Sequence, residues 1–217
     1  VPESAKSFCA SLASNAAARS QQKEKLPAGV DLREWSMPSA QDLFISETAA
    51  VFQNYKNLAD GALTQLTSDE EFFRVFGPRS HSIAVIVKHV AGNLKSRWSS
   101  FLTTDGEKPD RDRDGEFEIL PQDSRSSLLQ FWETGWKVLF TEFAALKSAD
   151  LTKTVTVRGE PHSVILATQR SLAHTAYHVG QILYLCRAFK EGEWKYLTVA
   201  PGASKEFNQD MKGRFAR

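Results

Sequence analysis

Cysteine is scarce in this 217-residue chain: only Cys9 and Cys186 occur, far apart and without the paired spacing of a zinc ribbon or a redox dithiol. That excludes a disulfide scaffold and fits a reducing compartment. An excess of one charge is also missing, since 27 Lys and Arg stand against 26 Asp and Glu for a net charge of +1. Such a balance leaves no electrostatic footprint for nucleic acid or an anionic membrane, so neither is an expected partner. No apolar run approaches the roughly 18 residues needed to cross a bilayer, and the N-terminus lacks the basic flank and apolar core of a secretory signal. A cytoplasmic location is the expectation. No internal repeat is visible, which sets solenoids aside.

What is present is amphipathic helix. With 24% charged and 41% hydrophobic residues the chain has an ordinary globular composition, and one domain is the default. Residues 1–36 are rich in Ala, Ser, Gln and Lys, show little apolar periodicity and precede Met37, so they are expected to be an extension outside the core. The remaining residues, 37–217, are assigned to the folded domain and its C-terminal tail. Apolar residues at helical spacing mark a first long helix from Gln41 to Leu66. Ser68-Asp-Glu-Glu71 has the form of a capping box and predicts a short helix ending near Phe76. A second long helix is predicted from His81 to about Leu102, capped by Ser80, and a third from about Ser124 to Lys147.

Between the second and third, residues 103–122 form a polar connection dense in Asp, Arg, Gly and Pro, a candidate wall for a binding site. The alternating, β-branched run Thr152–Val157 followed by Arg158-Gly-Glu-Pro161 predicts a short hairpin arm. A fourth long helix follows from about His162 to Lys190. Four such helices describe an all-α, up-down-type four-helix bundle with a hairpin-like segment before the last long helix. The tail, 193–217, carries Trp194, Tyr196 and Phe207 and is expected to lie at the periphery.

The chemistry concentrates in three histidines. His174 and His178 are four apart in the most apolar helical stretch, about 40° from each other on one face, a separation that a single metal ion can bridge. His89 lies in the second strongly apolar run, Ile83–Ala91, in line with Val85, Asn93 and Ser96. Arg170 and Gln181 extend the polar stripe of His174 and His178. Polar groups buried without partners cost about 1–3 kcal/mol each, so the stripe must be paired, wet or bound to something. Core histidines bonded to carbonyls are the competing explanation. A zinc peptidase is excluded, because its signature needs Glu after the first histidine and Thr175 stands there. His81 and His162, outside the apolar runs, are expected in surface or capping roles, with the alternative that His162 lines the mouth of a pocket if the hairpin folds over it.

The order of these parts, with one histidine on the second helix and His-x-x-x-His followed by Val-Gly-Gln-Ile on the fourth, resembles the DinB-like (YfiT-like) superfamily of metal-binding four-helix bundles. Within it, Ser82–Asn93, Phe131–Trp136 and Arg158–Ser163 are similar to a bacterial branch catalogued as a domain of unknown function, over about Gln41 to Lys190. The resemblance implies that His89, His174 and His178 hold one divalent ion. Zinc or nickel suits nitrogen donors, with iron or manganese as alternatives. Characterised relatives include S-transferases and isomerases that use a low-molecular-weight thiol such as bacillithiol or mycothiol. The branch itself carries over no activity, and a metal-dependent transferase acting on a small thiol, the reading that matches those relatives, is the expectation. A hydrolase using metal-activated water and a non-catalytic stress-response bundle are the alternatives. Asn93, Arg170 and Gln181 are candidates for steadying the ligands or orienting substrate. A homodimer is expected, as is common in similar bundles.

The other signals are weaker. Asp110-Arg-Asp-Arg-Asp-Gly115 opens like a calcium loop, but Pro121 stands where the bidentate glutamate belongs, so a solvated loop with Arg111 and Arg113 balancing the acids is expected. Trp132 and Trp136 should share one face of the third helix, Glu133 should face solvent, and Cys186 should be a small core residue.

Overall fold

Serine starts the principal helices. In the computed structural model, which describes residues 38–215, the side chains of Ser39, Ser68, Ser82, Ser124 and Ser163 each accept a hydrogen bond from the backbone N–H three residues on. They open α1 (Ala40–Leu63), α2 (Asp69–Phe73), α3 (Ile83–Trp98), α4 (Arg125–Ala145) and α5 (Val164–Phe189). The expected capping box at Ser68 and Glu71 forms in full. The expected extension, residues 1–36, lies outside the described residues.

The first long helix and the short one each end three residues before the expected position, at Leu63 and Phe73, and three further boundaries differ for a local reason. Ser80 closes a turn with Gly77 at 2.9 Å, which leaves the cap of α3 to Ser82. The same helix ends at Trp98, because Ser100 takes a left-handed backbone with φ of 50°. Residues Glu160–Ser163 form strand β2 against β1 (Thr154–Val157), with Val155 opposite His162, so α5 starts at Val164 rather than His162. The two strands join through Arg158 and Gly159 at φ of 56° and 75°, the signature of a tight hairpin turn.

Residues 38–192 belong to one compact unit, a four-helix bundle of α1, α3, α4 and α5 with the hairpin beside it. Helix α3 is its centre, apolar on nearly every side and packed on both α4 and α5. Phe52, Trp98 and Phe143 meet edge to face at 5.3 to 6.1 Å between ring centroids. Trp132 and Trp136 share one face of α4 as expected, 5.4 Å apart. Gly135 lets α3 and α4 approach: a Cβ there would stand 2.7 Å from the carbonyl oxygen of Ala91. Residues 193–215 belong to a second unit containing α6 (Ser204–Phe215), a helix with no buried residue. Among the described residues, no helix is long and apolar enough to cross a membrane.

Candidate metal centre

Helix α3 carries His89 into the interior, where it is 4% exposed, and α5 presents His174 and His178 to it, both half-buried. One ring nitrogen from each lies within 4.8 Å of the other two. His89 Nε2 and His174 Nε2 are 3.2 Å apart, and the three ring centroids are separated by 4.6 to 5.2 Å. Spacing of i and i+4 on α5 supplies two donors, and the close packing of α3 against α5 supplies the third.

The outer nitrogens are held unequally. His89 Nδ1 donates to the Glu116 carboxylate at 2.8 Å, and His178 Nδ1 donates to the side-chain carbonyl of Gln181 at 2.8 Å. His174 Nδ1 is buried without a hydrogen-bond partner. Burial, with the neighbouring His178, His89, Arg111 and Arg97, pulls the pKa of His174 down to about 3. Burial also lowers His178 to about 4; the bond to Gln181 opposes the shift while His89 and His81 reinforce it. Both rings are therefore neutral at pH 7, the form that binds a metal.

The donor set fits a divalent ion. With Nδ1 of His89 donating to a carboxylate, its Nε2 carries a lone pair, and that lone pair faces another ring nitrogen at 3.2 Å with a third nearby. Two nitrogens bound to one zinc-like ion are separated by about 3.0–3.4 Å, so the 3.2 Å between His89 and His174 suits a shared cation, with the nitrogen of His178 within 4.8 Å of both. Among the described residues, this is the one group of three or more His, Cys, Asp or Glu side chains whose donor atoms converge in this way.

Aromatic rings line the approach. Phe117 stands 4.7 Å from the ring of His89 and 5.2 Å from that of the exposed His81, and Tyr177 stands 4.3 Å from His178 and 5.1 Å from His174. The guanidinium of Arg113 lies 5.2 Å over Phe117. Neither Phe117 nor Tyr177 stands out in the sequence. Tyr177 is foreshadowed only by its place between the two histidines of α5.

The remaining predicted residues separate. Gln181 touches His178 directly, and Asn93 is buried one turn beyond His89 on α3. Arg170, one turn before His174, instead reaches the hairpin, where it donates to His162 Nε2 and lies 3.5 Å from the Glu160 carboxylate. His162 is not a surface or capping residue but is 3% exposed, because strand alternation turns it inward between exposed Pro161 and Ser163; its Nδ1 donates to the Glu160 carbonyl at 2.9 Å. Glu133 is exposed and pairs with Lys56 at 2.8 Å, and Cys186 is buried, its thiol pushed up to about 12 by desolvation. Such a thiol is inert at neutral pH.

The polar connection departs most from expectation. Arg111 is not solvated: its side chain is 4% exposed and grips Glu116 through two parallel bonds, Nε to Oε1 at 2.8 Å and Nη2 to Oε2 at 2.9 Å. Asp112 accepts from the backbone of Gly115, and Asp114 is fully out in solvent, so these acids do not assemble a calcium cage. Glu116, the residue that the sequence did not single out, lies in a short 3-10 turn, Gly115–Phe117, that packs on α3. Burial works against its ionisation, but hydrogen bonds from His89 and Arg111 prevail and hold its carboxyl below the usual range.

A family described as "Protein of unknown function (DUF1572)" matches residues 39–203, a span that contains the bundle, the hairpin and all three converging histidines. No curated protein and no solved structure matches the chain.

Proposed function

The chain belongs to the DUF1572 family of proteins of unknown function, and we propose that it is a metal-dependent enzyme of the DinB-like kind. His89, His174 and His178 hold one divalent ion, zinc or nickel first, with iron or manganese as alternatives. The observation that carries this reading is the convergence of three ring nitrogens, from two helices, within 4.8 Å. Three donors rather than four, two of them on half-buried rings that solvent reaches, favour a working site over a purely structural one.

The reaction proposed is substitution at an electrophilic carbon by a low-molecular-weight thiol: the thiol gives its proton to solvent, its sulfur forms the new S–C bond, and the carbon's leaving group departs with the electron pair of the bond that breaks. A bound divalent ion supplies Lewis acidity, which favours the thiolate over the thiol at neutral pH. The chain's own groups prepare the site. Gln181 fixes the ring of His178, Phe117 and Tyr177 stand ring to ring against His89 and His178, and Arg113 places a positive charge above Phe117 that suits an anionic substrate. Asn93 and Arg170 flank the ligands along their helices.

Metal analysis of the freshly purified chain, followed by a panel of thiols and electrophiles, tests the reading. The unmodified protein is expected to carry close to one equivalent of divalent metal, and His174→Ala to lose it. Normal metal content in that variant removes the ligand assignment. Turnover of esters or amides without thiol dependence selects the hydrolase. Metal-dependent stability with no turnover of any kind selects the non-catalytic bundle.

A further inference from the structure

We propose that Glu116 is a positioning residue of the metal centre, and that the connection between α3 and α4, residues 99–124, is built to hold it behind His89. This rests on the three-histidine reading above. Both Glu116 oxygens are engaged: Oε2 accepts from His89 and from Arg111, and Oε1 from Arg111. Arg111 is itself tied to Glu107, 3.5 Å away, which binds Arg97 of α3 at 2.9 Å and Arg158 of the hairpin turn at 3.0 Å. The chain of charges thus runs from the hairpin through the connection to His89.

Two further observations show a place prepared for this carboxylate. Gly92, three residues after His89, leaves the space: a Cβ there would stand 2.1 Å from Glu116 Oε1. A buried Arg–carboxylate pair is, moreover, a poor device for stability, because desolvation offsets most of its Coulombic gain. Its position against a ring nitrogen gives it a different use. A carboxylate on Nδ1 fixes the Nδ1–H tautomer, aims the Nε2 lone pair at the ion and makes the imidazole a stronger donor.

The three ligands are then graded: His89 is backed by an anion, His178 by a neutral amide and His174 by nothing. His89 is the anchor of the site, and His174 the ligand most easily displaced.

Zinc affinity, measured on the full chain by competition with a chromophoric chelator, tests this together with the absorption spectrum of the cobalt-substituted protein and the ¹⁵N shifts of His89 in the metal-free form. Glu116→Gln is expected to weaken zinc binding about 10- to 100-fold and to alter the cobalt spectrum, with circular dichroism unchanged. Gly92→Ala keeps the charge but displaces the carboxylate, and is expected to act in the same direction should Glu116→Gln fail to fold. In the unmodified metal-free protein, His89 is expected as the Nδ1–H tautomer. Wild-type affinity and cobalt spectrum in both variants, while His89→Ala loses metal, overturns the role of Glu116 alone; so does an Nε2–H tautomer at His89. Absence of zinc binding in the unmodified chain overturns the three-histidine reading and this proposal with it.

Discussion

At the residue scale, Glu71 shows how a single carboxylate can tie separate segments together. Almost fully buried, it accepts from the backbone N–H groups of Thr67, Ser68 and Glu191, with Lys190 3.8 Å away. Burial opposes its charge, but the three backbone donors and Lys190 prevail and draw its pKa down to about 2. Its folded pKa lies below the ordinary value of 4.5, so its contribution to stability is complete above that pH and disappears as pH falls toward about 2. Glu71→Ala leaves three N–H groups without their acceptor and is expected to cost on the order of 2–4 kcal/mol in urea denaturation at pH 7. A loss under about 0.5 kcal/mol, the size of an ordinary surface change, would show that these donors find other partners.

The same scale separates legible residues from hidden ones. His174 and His178 are legible because helical spacing alone puts them on one face, and His89 because a lone imidazole inside Ile83–Ala91 needs a partner. Glu116 is hidden. It is 27 residues from His89, in a segment without periodicity, and only packing of that segment on α3 brings its carboxylate to the ring.

At the scale of elements, local competition decided what propensity left open. Ser80 and Ser82 are both able to cap a helix, and the turn closed by Ser80 with Gly77 settles which one does. Pro161 and His162 are compatible with a helix start, but pairing with β1 takes them into a strand. The hairpin is in turn clamped by Asp105, whose carboxylate accepts from the backbone N–H of Arg158 and Gly159 at 2.8 Å each. Helix α4 meets α3 at Gly135, where a side chain would collide with backbone rather than with a movable tip. Gly135→Ala gains about 1 kcal/mol of helix propensity, but the clash with the Ala91 carbonyl forces the helices apart. The expected net result is destabilisation by about 1–3 kcal/mol in urea melts, and a stabilised variant would refute the close approach.

For the whole molecule, the converging histidines couple stability to pH and to metal. The folded pKa values of His174 and His178, about 3 and about 4, lie below the ordinary 6.5, so the unfolded chain binds protons that the folded one refuses. The metal-free protein should therefore keep its full stability above about pH 6.5 and lose part of it progressively as pH falls toward 4. On the proposed reading a divalent metal binds the assembled site, and adding it should raise Tm at pH 7 and do so less as the pH is lowered. Thermal melts from pH 5 to 8, with and without zinc, check both, and a metal-free Tm that rises on acidification over this range would contradict the burial of these rings.

The sequence by itself determined four amphipathic helices, the capping box at Ser68, the hairpin and the pair of histidines on α5, because each of these rests on contacts within a few residues of chain. Tertiary structure alone decided that His89 would meet that pair, that His162 would turn inward, and that a polar connection would bury Arg111 and Glu116. Those outcomes depend on helix packing and on desolvated charge pairs between distant segments, and no local period in the chain encodes such pairings.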